Sequence, residues 1–137
     1  MALTHLIDTS VLTRLREPAV RAAIEPSVHR GELARAGISD LEIGFSARNA
    51  AEWDRLADAV AAFELVETTD EHVRRARQTQ RLLASKHQRG RKLPDLLVAA
   101  AAESRGLAVL HYDADFDLIA GATGQPCEWV VPDGSVD

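Results

Sequence analysis

Acidic residues recur in this chain where a run of apolar residues gives way to polar ones. Asp8 ends the apolar run of LIDTSVL, Glu42 lies in SDLEIGFSARN, Asp95 in LPDLLVAAAAE, and Asp113 follows AVLHY, with Asp115 and Asp117 just beyond. Each has an ordinary structural use. Asp is among the best N-cap residues, which suits Asp8. Ser39 and Glu42 have the S-x-x-E spacing of a capping box, and Asp95 after Pro94 suits the first turn of a helix. Asp113 to Asp117 fits a solvated turn. Gathered in one place, the same groups would do different chemistry. Crowded carboxylates repel and raise one another's pKa unless a cation neutralises them. Hard divalent ions such as Mg²⁺ or Mn²⁺ take oxygen ligands and keep waters beside phosphates. Local sequence leaves both readings open for each residue.

Other site chemistries find no pattern. His5, His29, His72, His87 and His111 are scattered, without HxxxH or CxxC spacing, so a zinc site is not expected. Ser10 lacks the GxSxG elbow, and no GxxxxGK[ST] phosphate loop occurs. His111 reads as a hydrogen-bonded core residue, and Trp53, Phe63 and Trp129 as core or interface.

The elements that must position the acids follow from periodicity and punctuation. His5 to Ile7 reads as a short buried strand and Thr9 to Arg16 as a helix. Pro18 opens a second helix, to about Arg30. Leu33 to Ile38 reads as a strand, Ser39 to Asn49 and Ala51 to Phe63 as helices, and Leu65 to Glu67 as a strand. A long helix is expected from Asp70 to about Gln88, with Val73, Ala76, Gln80, Leu83, Ala84 and His87 on one face and Gly90 at its end. Pro94 begins an apolar helix that Gly106 stops. Ala108 to His111 reads as a strand, Phe116 to Ala120 as a helix and Glu128 to Val131 as a strand. Short strands alternating with helices imply an α/β fold with a mainly parallel central sheet flanked by helices. In such sheets ligands bind beyond the carboxyl ends of the strands, near the topological switch point. Asp8 and Asp113 follow strands, while Glu42 and Asp95 begin helices that return along the sheet.

The 137 residues suit one domain, 1–137, with a real core, and 46% are apolar. Cys127 is the only cysteine, so no intrachain disulfide can form. No run approaches the roughly 20 apolar residues of a membrane span, and the amino terminus lacks the pattern of a signal peptide. A cytoplasmic protein is expected. Net charge is −5, yet His72 to Lys92 holds Arg74, Arg75, Arg77, Arg81, Lys86, Arg89, Arg91 and Lys92 with no acid. Screening over about 8–10 Å makes local potential decisive for a polyanion, so this segment keeps nucleic acid in play.

The ordered set LIDTSVL, SDLEIGFSARN and LPDLLVAAAAESRGLAVLHYDADFDLIA resembles the motif series of PIN-domain ribonucleases, in particular the VapC-type toxins of toxin–antitoxin pairs. The resemblance implies an endoribonuclease dependent on Mg²⁺ or Mn²⁺, dimeric or bound in a hetero-oligomer with a VapB-type antitoxin. Asp8, Glu42, Asp95 and Asp113 match the family's acidic quartet, Asp115 a further acid, and Ser10 the hydroxyl that orients the first carboxylate. On this expectation Asp8 and Asp95 hold the metal directly. Glu42, Asp113 and Asp115 complete the site directly or through water. Metal-activated water would attack in line and leave a 3′-hydroxyl and a 5′-phosphate. Arg74, Arg77, Arg81, Lys86, Arg89, Arg91 and Lys92 would hold the RNA backbone, or simply form a solvated flank. Transfer RNA is one expected substrate class, with ribosomal and messenger RNA left open. Ile43, Phe45, Trp53, Leu56 and Val60 are candidates to receive an antitoxin helix, whose arginine could reach the acids. Two rivals stand beside this reading. One is a receiver-like phosphoacceptor, for which Lys86 and Lys92 are poorly placed. The other is a non-catalytic module that binds nucleic acid or antitoxin.

Overall fold

Five short strands set the architecture: β1 (His5–Ile7), β2 (Leu33–Ala36), β3 (Glu64–Val66), β4 (Ala108–His111) and β5 (Cys127–Trp129). A computed structural model describes residues 2–88 and 92–137. The strands form one sheet in the order β3-β2-β1-β4-β5, and every pairing is parallel. Leu6 of β1 lies opposite Ala34 and Val109. Parallel strands need crossovers, and helices supply them: α1 (Thr9–Leu12), α2 (Pro18–His29), α3 (Gly37–Phe45), α4 (Ala50–Val60), α5 (Asp70–Ser85), α6 (Leu93–Ser104) and α7 (Asp115–Thr123).

Both sheet faces are covered, which explains why the strands are apolar runs and not alternations. Successive strand residues point to opposite faces. Leu6 accordingly joins a core with Leu83, Val98, Phe116 and Ile119 from α5, α6 and α7, while Ile7 joins Val11, Val20, Ile24 and Ile43 from α1, α2 and α3. The chain winds from β1 to β2 and β3 on one side, then returns to place β4 on the other side of β1. The switch point therefore lies between β1 and β4. This order differs from the 2-1-3-4-5 order of receiver-like folds.

Several elements differ from the sequence-based expectation. The first helix stops at Leu12, because the Arg14 and Glu17 amides bond three residues back and turn the chain toward Pro18. No loop separates β2 from α3, so Ser39 is buried inside the helix and no side chain caps its start. The expected Ser39–Glu42 capping box is absent. The buried face of α5 is His72, Ala76, Thr79 and Leu83, whereas Val73 is 46% exposed and Gln80, Ala84 and His87 are also exposed. A real capping box fixes this rotation. The Thr69 hydroxyl accepts the His72 amide, and His72 Nδ1 accepts the Thr69 amide. His72 Nε2 then reaches Ser104 Oγ at 2.9 Å. Helix α5 ends at Ser85, where His87 takes the left-handed conformation (φ 60°) and the Gln88 amide bonds to the Leu83 carbonyl. Gly90, expected as its stop, lies outside the described residues. Gly106 does stop α6, with φ 66° and the Leu107 amide on the Ala102 carbonyl. No helix among the described residues is long and apolar enough to cross a membrane.

Candidate metal centre

Strand β1 ends at Ile7, and Asp8 is the next residue. Its backbone is extended and it caps α1, with Oδ2 accepting the Ser10 amide at 3.0 Å. One oxygen is therefore occupied by the cap. The other, Oδ1, is buried without a hydrogen-bond partner among the described residues, in a residue only 2% exposed. The neighbouring strand β4 carries Tyr112 and Asp113 just beyond its end. The Ser10 hydroxyl accepts the Tyr112 amide at 2.9 Å, which ties the two strand ends together across the switch point.

Two helices bring further acids to the same cleft, a cavity of about 240 Å³. Helix α3 supplies Glu42, whose Oε1 accepts the Thr9 hydroxyl at 2.7 Å; that hydroxyl also lies 2.9 Å from Ser39 Oγ. Helix α6 supplies Asp95 in its first turn, 5% exposed, with Oδ2 buried and lacking a hydrogen-bond partner among the described residues. Oxygens of Asp95, Asp113 and Asp115 lie within 4.8 Å of one another. The Asp113 amide donates to His111 Nδ1 at 3.2 Å, and Asp113 Oδ1 accepts the Asp115 amide at 2.9 Å. His111 is fully buried, packed 5.0 Å from the Phe116 ring and 4.9 Å from Trp129.

The acids differ in electrostatic state. Burial, reinforced by the charge of Asp8, pushes Asp95 up to about 7. Burial also raises Asp8, against the pull of its Ser10 hydrogen bonds. For Asp113 burial works against the charged form, but the Lys92 hydrogen bond and the Asp115 amide outweigh it and hold the carboxyl below its usual range. Lys92, at the N-cap of α6, sits 2.5 Å from Asp113 Oδ2 and 3.9 Å from Asp95 Oδ2. The hydrogen bond to Asp113 raises its own pKa.

The donor set is oxygen only: Asp95, Asp113 and Asp115 lie close enough to share one ion, and Asp95 Oδ2 within that group and Asp8 Oδ1 beside it are buried with no hydrogen-bond donor among the described residues. An unpaired buried carboxylate oxygen is costly. That combination fits a hard divalent cation better than zinc.

The basic residues scatter more than the sequence suggests. Arg74, Arg77 and Arg81 line an open groove along α5, where Arg74 pairs with Glu71 at 2.6 Å. Lys86 donates to the Gly121 carbonyl, Lys92 faces the acids, and Arg89 and Arg91 lie outside the described residues. On α3 and α4, Phe45 and Trp53 are 91% and 49% exposed, whereas Ile43 and Val60 belong to the core. Sequence reading missed Thr9, Thr13, Arg14 and Tyr112 as cleft residues. Thr9 and Tyr112 flank motif acids, but nothing local marks Arg14.

Comparison with known proteins identifies the architecture. The PIN domain family model matches residues 5–122. The chain belongs to the PIN domain family. It is 62% identical over 137 residues to Ribonuclease VapC51 of Mycobacterium tuberculosis, covering 100% of both chains. It is 45% identical to Ribonuclease VapC21 of the same species, covering 98% of this chain and 99% of that one. The crystal structure of DNA-bound VapBC from Salmonella typhimurium contains a chain with the same fold (TM-score 0.75, 17% identity, 94% of this PIN chain and 99% of that chain). The PIN assignment and the strand order together set aside the receiver-like reading.

Proposed function

We propose that this PIN-domain chain is a single domain over 1–137. It acts as the toxin of a type II toxin–antitoxin pair, a metal-dependent endoribonuclease restrained by a VapB-type antitoxin. The observation that carries the reading is the pair of buried, hydrogen-bond-free oxygens, Asp8 Oδ1 and Asp95 Oδ2, in the acidic cleft of a chain 62% identical to a ribonuclease. Asp8 and Asp95 hold a Mg²⁺ or Mn²⁺ ion directly, while Glu42, Asp113 and Asp115 complete the site directly or through water. When bound, such an ion neutralises charge on the phosphoryl group and makes water more acidic. The protein's own groups orient the acids. Thr9 holds Glu42, the Ser10 amide holds Asp8, and His111 fixes the backbone of Asp113. The α5 groove with Arg74, Arg77 and Arg81 binds RNA backbone, and transfer RNA is the substrate class. The exposed Phe45 and Trp53 receive the antitoxin.

Incubating the purified chain with RNA and Mg²⁺ tests this. Cleavage producing 5′-phosphate ends is expected, lost with chelator and with Asp95→Asn while the variant stays folded. Undiminished cleavage by Asp95→Asn would refute the assignment.

A further inference from the structure

Among the described residues, one cation in the acidic cleft has no acidic side chain as partner. Lys92 is committed to Asp113. Arg14, lining the same cleft as Asp8, Glu42 and Asp95, is held by main-chain oxygens: Nη1 donates to the Ser10 carbonyl at 2.6 Å and Nε to the Asp137 main-chain oxygen at 2.8 Å. Its guanidinium lies over the Tyr112 ring, 4.7 Å from the centroid. Its other terminal nitrogen, Nη2, has no hydrogen-bond partner among the described residues. The Tyr112 ring is braced in turn. Trp129 packs edge-on against it at 5.5 Å, and Trp129 Nε1 donates to Asp117. The Tyr112 hydroxyl donates to the Val136 carbonyl at 2.7 Å and accepts the Val136 amide at 3.1 Å.

This arrangement gives Arg14 no ion pair with an acidic side chain among the described residues, and it suits anion recognition. A guanidinium stacked on a ring and pinned at two nitrogens is ordered before a ligand arrives, so little further freedom is lost on binding. It presents charged N–H donors in the planar geometry that matches phosphate. Any RNA entering the cleft approaches a wall of carboxylates, and a fixed cation there offsets that repulsion.

We propose that Arg14, braced on Tyr112, forms a phosphate subsite that holds the RNA phosphate adjacent to the one cleaved. The proposal rests on the ribonuclease reading. Its test uses the Asp95→Asn protein as a non-cleaving host, a fluorescent single-stranded RNA oligonucleotide, and anisotropy titrations over a salt series in Mg²⁺. Adding Arg14→Gln should weaken binding about tenfold and lower the slope of log K against log salt by about 0.7, the share of one phosphate on a single strand. Arg14→Lys keeps the charge and should retain the slope. Tyr112→Phe removes the bonds to Val136 while leaving the cation and ring, and should also retain it. An unchanged slope in Arg14→Gln would overturn the subsite. So would an equal loss of slope in Tyr112→Phe, which would mean that Arg14 acts only by anchoring the tail. Failure of the host itself to bind RNA would overturn the ribonuclease reading, and the subsite with it.

Discussion

Asp95→Asn should stabilise the metal-free protein at the pH where it abolishes cleavage. Asp95 is 5% exposed, and burial together with the charge of Asp8 holds its pKa at about 7, against an ordinary value of 3.8. In the unfolded chain the carboxyl loses its proton near 3.8, whereas in the folded chain it keeps it until about 7. Between these values the folded state binds more protons than the unfolded one, so stability falls as pH rises through that window. The interval is roughly three pH units at about 1.4 kcal/mol each, which sets a ceiling of about 4 kcal/mol on the destabilisation at pH 8. Asparagine has nearly the same shape and no charge, so it removes this cost. For a chain of this length 1 kcal/mol moves Tm by about 3–4 °C, and the variant should melt above wild type at pH 8 in EDTA, by up to about 14 °C. The two should converge near pH 4, below both values, where Asp95 is protonated in either state. Melting curves by circular dichroism from pH 4 to 8 measure the difference, and subtraction removes titrations common to both proteins. Adding Mn²⁺ should raise the Tm of wild type more than that of the variant. A constant Tm difference across the pH range, or a variant less stable than wild type at pH 8, would show that burial of this carboxylate is not what perturbs it.

Lys92→Met should tighten Mn²⁺ binding about tenfold, read by calorimetry. Like charges about 4 Å apart cost about 4 kcal/mol at an effective dielectric of 20, and movement of the lysine relieves most of that; equal or weaker binding would contradict a competing role for the ammonium beside Asp113 and Asp95. Ser10→Ala should cost about 1–2 kcal/mol in urea unfolding with EDTA, because the part-buried Tyr112 amide loses its acceptor. Unchanged stability would mean that water replaces the hydroxyl without penalty.

Strand positions were legible to within two residues, because buried parallel strands appear as short apolar runs between helix signals. What was not legible depended on contacts distant in sequence. The S-x-x-E spacing of Ser39 and Glu42 is genuine, but β2 passes directly into α3 and Ser39 becomes a buried neighbour of Thr9. The rotation of α5 follows from His72 reaching across to Ser104, 32 residues on, a polar contact that apolar periodicity cannot anticipate. The convergence of the acids was readable in outline. Asp8 and Asp113 follow adjacent strands, and the switch-point rule brings such positions together. The rule says nothing of Lys92, which looks like one more member of a basic run until α6 turns it onto Asp113. Arg14 was invisible for the same reason, since its anchors include residue 137.

The cap and the metal ligand are not alternatives at Asp8. An N-cap aspartate needs only one oxygen for the amide it accepts, and here Oδ2 takes Ser10. That bond, with the extended backbone at Asp8, fixes the plane of the carboxylate and therefore the direction of Oδ1, which the fold leaves buried and without a donor. A local stabilising contact thus orients a group whose other half is destabilising. Asp113 repeats the pattern: Oδ1 is held by the Asp115 amide while Oδ2 meets Lys92. Motifs of this kind look like ordinary helix caps in sequence, and at Asp8 the motif is one. What separates them is the fate of the second oxygen, and only the sheet order that sets β1 beside β4 decides that.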